Sequence, residues 1–312
     1  MSAVWQGLSG IFEVFLIVTL GFYLKKSGWI WNGAAGNLTK LTMTVALPAL
    51  MIYSLYSNFT HDELIRTAAD MILPFISIFA AYLAGCLLAR VLGIRKGRRG
   101  IFITTCCIAN AIFVGLPVNV ALFGEVSVPS CMLYYIANTT MFWCLGAWLI
   151  VKDAEAEMKM TTKDFLKKLI TPPLIGFITG VLLLIIDMPL PKFFLDSCHY
   201  VGNMATPIAL LVIGLQMAEI PLRDIHFDRD LAGALAGRFI FCPLCLFLLL
   251  PLIPVSPMSA KVFLMQSGMP AMTNMTILAA SVGADAKYST TINCVSMALS
   301  LFFIPFYMFL LG

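Results

Sequence analysis

The chain is 312 residues long, 60% hydrophobic and only 12% charged, with a mean hydropathy of +0.93. Polar surface is too scarce to cover a water-soluble globule of this length, so the composition points to a bilayer. The formal net charge of +4 does not imply nucleic acid, because the cations are spread over segments flanking apolar stretches.

Windows of roughly 20 apolar residues give ten predicted spans, at about 8–24, 35–57, 69–92, 100–124, 128–151, 168–187, 193–218, 231–252, 259–283 and 287–310. The first stretch lacks a basic segment before it and a small-residue cleavage site after it, so it reads as a span and not as a signal peptide. It carries Glu13, and span two carries Leu47-Pro48-Ala49. Asp70, at the outer end of span three, is either a proton-coupling acid or a solvated residue near Arg66. The loop Arg95-Lys96-Gly97-Arg98-Arg99 is expected to meet anionic lipid headgroups. Span four holds Asn110, Gly115-Leu116-Pro117 and Asn119, and span five holds Asn138. After the mixed-charge link, Gly176-x-x-x-Gly180 and Gly233-x-x-x-Gly237 are close-packing signals. Span seven carries Thr206-Pro207-Ile208, and Cys242-Pro-Leu-Cys245 lies in an apolar run without second-shell partners for a metal. Eight of the nine cysteines lie in such runs and read as small core residues. Span nine holds Gln266, Ser267, Gly268-Met269-Pro270, Thr273 and Asn274, and span ten holds Asn293.

All but three of the 20 Lys and Arg residues fall at loops after odd-numbered spans, the exceptions being Arg66, Lys192 and Lys261. The positive-inside rule then puts the odd loops in the cytoplasm and both termini outside. The punctuation also repeats: prolines recur in spans two and seven, and Gly-x-Pro recurs in spans four and nine. Residues 1–152 and 168–312 are thus two five-span repeats joined by a 153–167 cytoplasmic linker, and an odd span number makes the second repeat enter the membrane upside down.

Proline removes a backbone donor and glycine tolerates unwinding, so Gly-x-Pro within a span is expected to split it into two half-helices. The exposed backbone survives only around a protein-lined or watery cavity. Half-helix ends with Asn110, Asn119, Gln266, Ser267, Thr273 and Asn274 nearby, and no ionisable group in either stretch, suit a carboxylate. Pro48 and Pro207 read equally as ordinary kinks, and Asn138 and Asn293 either line the cavity or join helices.

Asn110-Ala-Ile-Phe113-Val-Gly115-Leu-Pro117 resembles the Asn-x-x-Phe-x-Gly-x-Pro stretch of the auxin efflux carrier family. Gly268-Met-Pro270-Ala-Met-Thr-Asn274, with Ile277-Leu-Ala-Ala and Gly283-Ala-Asp285, is similar to that family's second broken helix. The resemblance implies an all-α integral membrane protein of ten transmembrane helices in two inverted five-helix repeats, spans four and nine crossing near the midplane. It also implies a scaffold of spans 1, 2, 6 and 7, and a transport domain of spans 3–5 and 8–10. The function it implies is alternating-access transport of a small organic acid, with Asn110, Pro117 and Pro270 at the crossover. Gly115, Gly268, Asn138 and Asn274 join the expected substrate site, and Asp70 and Glu13 are the acids for proton or ion coupling. The long cytoplasmic loop of the plant carriers is absent, so the chain resembles a prokaryotic member of a cell (inner or plasma) membrane.

Other classes fit less well. No G-x-x-x-x-G-K-[ST] and no H-E-x-x-H occurs, and His61 and His226 fall in predicted loops. The expected partners are the organic acid and the lipid bilayer, with a homodimer left open and no cofactor, metal or nucleic acid. The runner-up is a sodium-coupled organic-anion symporter of the bile-acid type, which shares the architecture, although span nine offers sodium no carboxylate.

Overall fold

The computed structural model describes residues 15–31, 33–154, 170–219 and 227–310. In chain order the helices are α1 at 15–26, then α2 (Ala34–Ser57), α3 (Asp62–Val91), α4 (Arg99–Cys107), α5 (Ala111–Phe123) and α6 (Glu125–Asp153). There follow α7 (Pro172–Ile185), α8 (Lys192–Ala218), α9 (Arg229–Leu249), α10 (Pro257–Ser267), α11 (Thr273–Ser281) and α12 (Ala286–Leu310). Among the described residues six of these, α2, α3, α6, α8, α9 and α12, are long and apolar enough to cross a membrane. Extended pairing among them is confined to one isolated bridge. Large apolar side chains such as Leu87, Ile178, Phe247, Phe302 and Phe309 stand exposed, a pattern that suits lipid and not water. Glu13 and nearly all of the expected 153–167 linker lie outside the described residues.

Two compact units make up the chain. The first takes Met1–Ala69, Ile112–Met132 and Ile170–Ile220, and the second Asp70–Ala111, Leu133–Leu169 and Pro221–Gly312. In the first unit glycines let helix backbones touch. A Cβ on Gly176 of α7 would stand 2.5 Å from Pro48 Cα of α2, and one on Gly214 of α8 would strike Val18 O of α1.

The prolines within α2, α5 and α9 do not break these helices. Widened turns occupy Thr42–Ala46, Ala111–Gly115 and Gly237–Phe241, and also Phe142–Gly146, which differs in having no proline after it. Two residues beyond the end of each of the first three comes a proline: Pro48, Pro117 and Pro243. The residue before the proline donates five positions back instead of four, Leu47 N–H to Thr42 O and Cys242 N–H to Gly237 O. The slack makes room for a ring that would otherwise collide with the carbonyl of the preceding turn. Hence α5 runs through Gly115 and Pro117 unbroken, and the expected break at the first Gly-x-Pro is absent. The chain unwinds instead at 108–110. Pro48 lies inside α2, and Pro207 in the first turn of the stretch Ala205–Ala218, after a turn at Met204. The ninth predicted span does part at Gly268 and Pro270, between α10 and α11.

In the second unit the basic loop is not left wholly to lipid. Arg98 donates from Nε to Asp285 Oδ2 at 2.7 Å and from Nη1 to Asp228 Oδ2 at 2.7 Å. Its guanidinium lies 4.5 Å from the Tyr288 ring centroid. Each aspartate also accepts a backbone N–H at a helix start, Asp228 from Leu231 in α9 and Asp285 from Tyr288 in α12. One guanidinium therefore ties the beginnings of α4, α9 and α12 together. Arg90, Lys96, Arg99 and Lys152 line a separate cavity of about 460 Å³.

Burial pushes both carboxyls up. The Leu231 amide and then Arg98 outweigh it at Asp228, and Arg98 and then the Tyr288 amide at Asp285, so both are held below the usual range. A depressed folded value stabilises above the ordinary value of 3.8 and is lost as pH falls through the lower one. Arg98→Ala is expected to destabilise by on the order of 1–2 kcal/mol, moderated because Asp228 is 44% exposed. Melting curves should show the variant losing less stability than the parent below about pH 4.

Candidate functional site

Helix α4 ends at Cys107, and Ile108 turns to extended backbone, φ −106° and ψ 123°. On the other broken span α10 ends at Ser267. The bond to Pro270 disfavours helix for Met269, and Met272 is extended, φ −71° and ψ 126°. The two extended segments pair antiparallel at Ala109 and Ala271, and Asn110 N–H donates to Pro270 O at 2.8 Å. Gly268 fits because the Tyr307 ring fills the place of its Cβ. The Tyr307 hydroxyl donates to Phe239 O, the carbonyl four residues before Pro243, which that proline leaves without a helical donor.

The crossing has a two-fold logic. In a continuous helix Ala109 N–H would bond Thr105 O, and Ala271 N–H would bond Ser267 O. Both donors are diverted. Ala109 N–H goes to Asn138 Oδ1 of α6 at 2.9 Å, and Ala271 N–H to Ser296 Oγ of α12 at 3.1 Å. Asn138 Nδ2 also donates to Ala109 O at 2.9 Å. One buried amide side chain thus replaces both backbone partners of Ala109, because Asn offers a donor and an acceptor side by side. Polar groups this deep are tolerated only when paired.

The second unit brings Asn110, Asn138, Gly268 and Pro270 together around this crossing. Asn110 is buried, and its Nδ2 donates to Thr273 Oγ1 at 3.3 Å, at the start of α11. Gln266 Nε2 donates to Ala111 O at 3.2 Å, while its Oε1 is buried without a partner. Asn274, in the first turn of α11, is exposed. Gly115 and Pro117 are buried in the first unit, where Asn119 Nδ2 donates to Gly115 O at 2.6 Å. Asp70 is not the solvated residue considered above. It is buried, and its Oδ2 accepts from Ser256 N–H at 3.2 Å, just before α10. Asn293 Nδ2 reaches Thr276 Oγ1 at 3.4 Å, so it joins α12 to α11.

Two residues escaped the sequence reading. Ser296 has no motif to mark it. The charge asymmetry places Arg238 with the loop cations, yet it is wholly buried inside α9. The available signal was its position, eight residues into an otherwise apolar span.

Residues 7–308 match a family described as membrane transport protein. An uncharacterized transporter of Methanocaldococcus jannaschii is 23% identical over 292 residues, covering 92% of this chain and 93% of the relative. An uncharacterized transporter of Methanothermobacter thermautotrophicus is 25% identical over 299 residues, covering 95% of each.

Proposed function

We propose, because the chain belongs to the auxin efflux carrier-like membrane transport protein family, that it carries a small organic anion across the cell membrane by alternating access. In this reading it has ten spans in two inverted repeats, 1–152 and 168–312, with both termini outside. The matched diversion of Ala109 and Ala271 amides supports the repeat, since the two arrangements correspond step by step. A division into scaffold spans 1, 2, 6 and 7 and transport spans 3–5 and 8–10 belongs to the same proposal.

The observation that carries the anion is the start of α11. Met272 supplies no side-chain cap, so the positive helix end is left to other partners, with the Asn110 amide and Thr273 hydroxyl beside it. Backbone N–H groups at a helix start favour negative charge. A carboxylate there gains the dipole and the Asn110 donor without an ionisable side chain.

The test is thermal stabilisation of the purified protein by a panel of mono-, di- and tricarboxylates, a bound ligand favouring the folded state. A hydrogen bond to a charged group contributes roughly 1.5–3 kcal/mol, so Asn110→Ala is expected to weaken binding by about ten-fold to more than a hundred-fold. Asn110→Asp should weaken it further by adding a second negative charge. Undiminished binding of the stabilising acid by Asn110→Asp would remove Asn110 from the site.

A further inference from the structure

Arg238 is fully buried in α9, and the preceding Gly237 keeps α9 hard against Cys106 of α4. Its Nη2 donates to Ser267 O and to Cys242 Sγ, the latter at 3.0 Å, and its Nη1 donates to Thr105 O at 3.4 Å. Among the described residues no Asp or Glu stands within ion-pair distance of it. A guanidinium stays protonated in proteins, and a buried charge without compensation costs several kcal/mol.

The compensation comes from the backbone. Thr105 O and Ser267 O are the two carbonyls that lose their helical donors when Ala109 and Ala271 turn to Asn138 and Ser296. Each stands in the last turn of its half-helix, α4 or α10, where the dipole amounts to roughly half a negative charge. Two such ends make up about one negative charge, which balances one guanidinium. Broken-helix transporters hold their coupling cation at such half-helix C-terminal ends. In this chain a side chain occupies the position.

We propose that Arg238 is a built-in cation that neutralises both half-helix ends in place of a dissociable sodium ion, so that carriage of the anion proceeds without sodium coupling. The inference rests on the transporter reading above and specifies its energetics. Arg238 is a positioning residue: it holds two carbonyl ends at the crossing.

Sodium binding by the purified full-length protein tests this, with ²²Na⁺ as the only probe, alongside melting curves in sodium chloride and choline chloride. The parent protein is expected to show no saturable sodium binding and the same melting temperature in both salts. Arg238→Met should melt several degrees lower in choline and recover part of that loss in sodium, whose ion can enter the vacated position. Arg238→Lys, which keeps a cation there, should melt close to the parent and ignore the choice of salt. Saturable sodium binding by the parent overturns the proposal. So does an Arg238→Met protein as stable as the parent in choline, or an Arg238→Lys protein that sodium stabilises. Should Arg238→Met fail to insert, the parent and the lysine variant decide. No carboxylate is present in these measurements. Failure of the anion reading would therefore leave the sodium result standing, and sodium binding by the parent would leave an anion carrier that is a symporter.

Discussion

Replacing Asn138 with leucine is expected to cost about 2–6 kcal/mol of stability and to abolish transport. The side chain serves both the N–H and the C=O of Ala109 at 2.9 Å. Leucine of similar size leaves both groups buried and unpaired, at about 1–3 kcal/mol each. The chain at 108–110 cannot recover by re-forming helix unless the pairing of Asn110 with Pro270 also gives way. Ser296→Ala is the informative companion, because it strips a partner from the Ala271 N–H alone. Its loss should be about half as large. Melting temperatures of the purified variants measure both, and an Asn138→Leu protein melting with the parent would show that the bracket contributes nothing.

The second large effect lies in the first unit. Gly214→Ala is expected to destabilise by about 3 kcal/mol or more. A Cβ there meets only backbone: Val18 O in direct collision, Phe22 N at 2.7 Å and the Gly21 carbonyl carbon at 3.0 Å. No rotamer change can relieve it, so α1 and α8 must move apart and lose their packing, the main force between helices in lipid. Gly36→Ala is the matched control, since its Cβ would have nothing within 4 Å. Removing a flexible glycine from α2 should leave stability unchanged or raise it by up to about 1 kcal/mol. Comparable melting losses for the two variants would mean that the α1–α8 contact is not close.

Much of this was legible in the residues, and the exceptions have physical causes. The mean hydropathy and the apolar windows were enough for a multi-pass membrane chain. Gly268 and Pro270 were visible as a break, since one fits under the Tyr307 ring and the other cannot donate. Ile108-Ala109-Asn110 contains no helix breaker at all. It unwinds because Pro270 and Asn138, far away in the chain, offer its backbone better partners, and local composition carries no trace of that. Pro117 misled for the opposite reason: the widened turn ahead of it absorbs the defect that proline normally creates. Asn274 shared a motif with Pro270 but stands exposed. Arg238 is hidden among cations that flank apolar stretches, although burial inside α9 gives it two carbonyl partners.

The widened turns also shift phase. A regular helix advances about 100° per residue, so one residue of slack rotates everything beyond it by that amount relative to what comes before. Helices α2 and α9 therefore present, past their prolines, the side that a uniform spiral would have given to the neighbouring position. A face traced at constant periodicity through Pro48 or Pro243 goes astray by one place. Each of these helices is in effect two spirals spliced out of step, and the splice lets its halves satisfy different neighbours without any interruption of the chain.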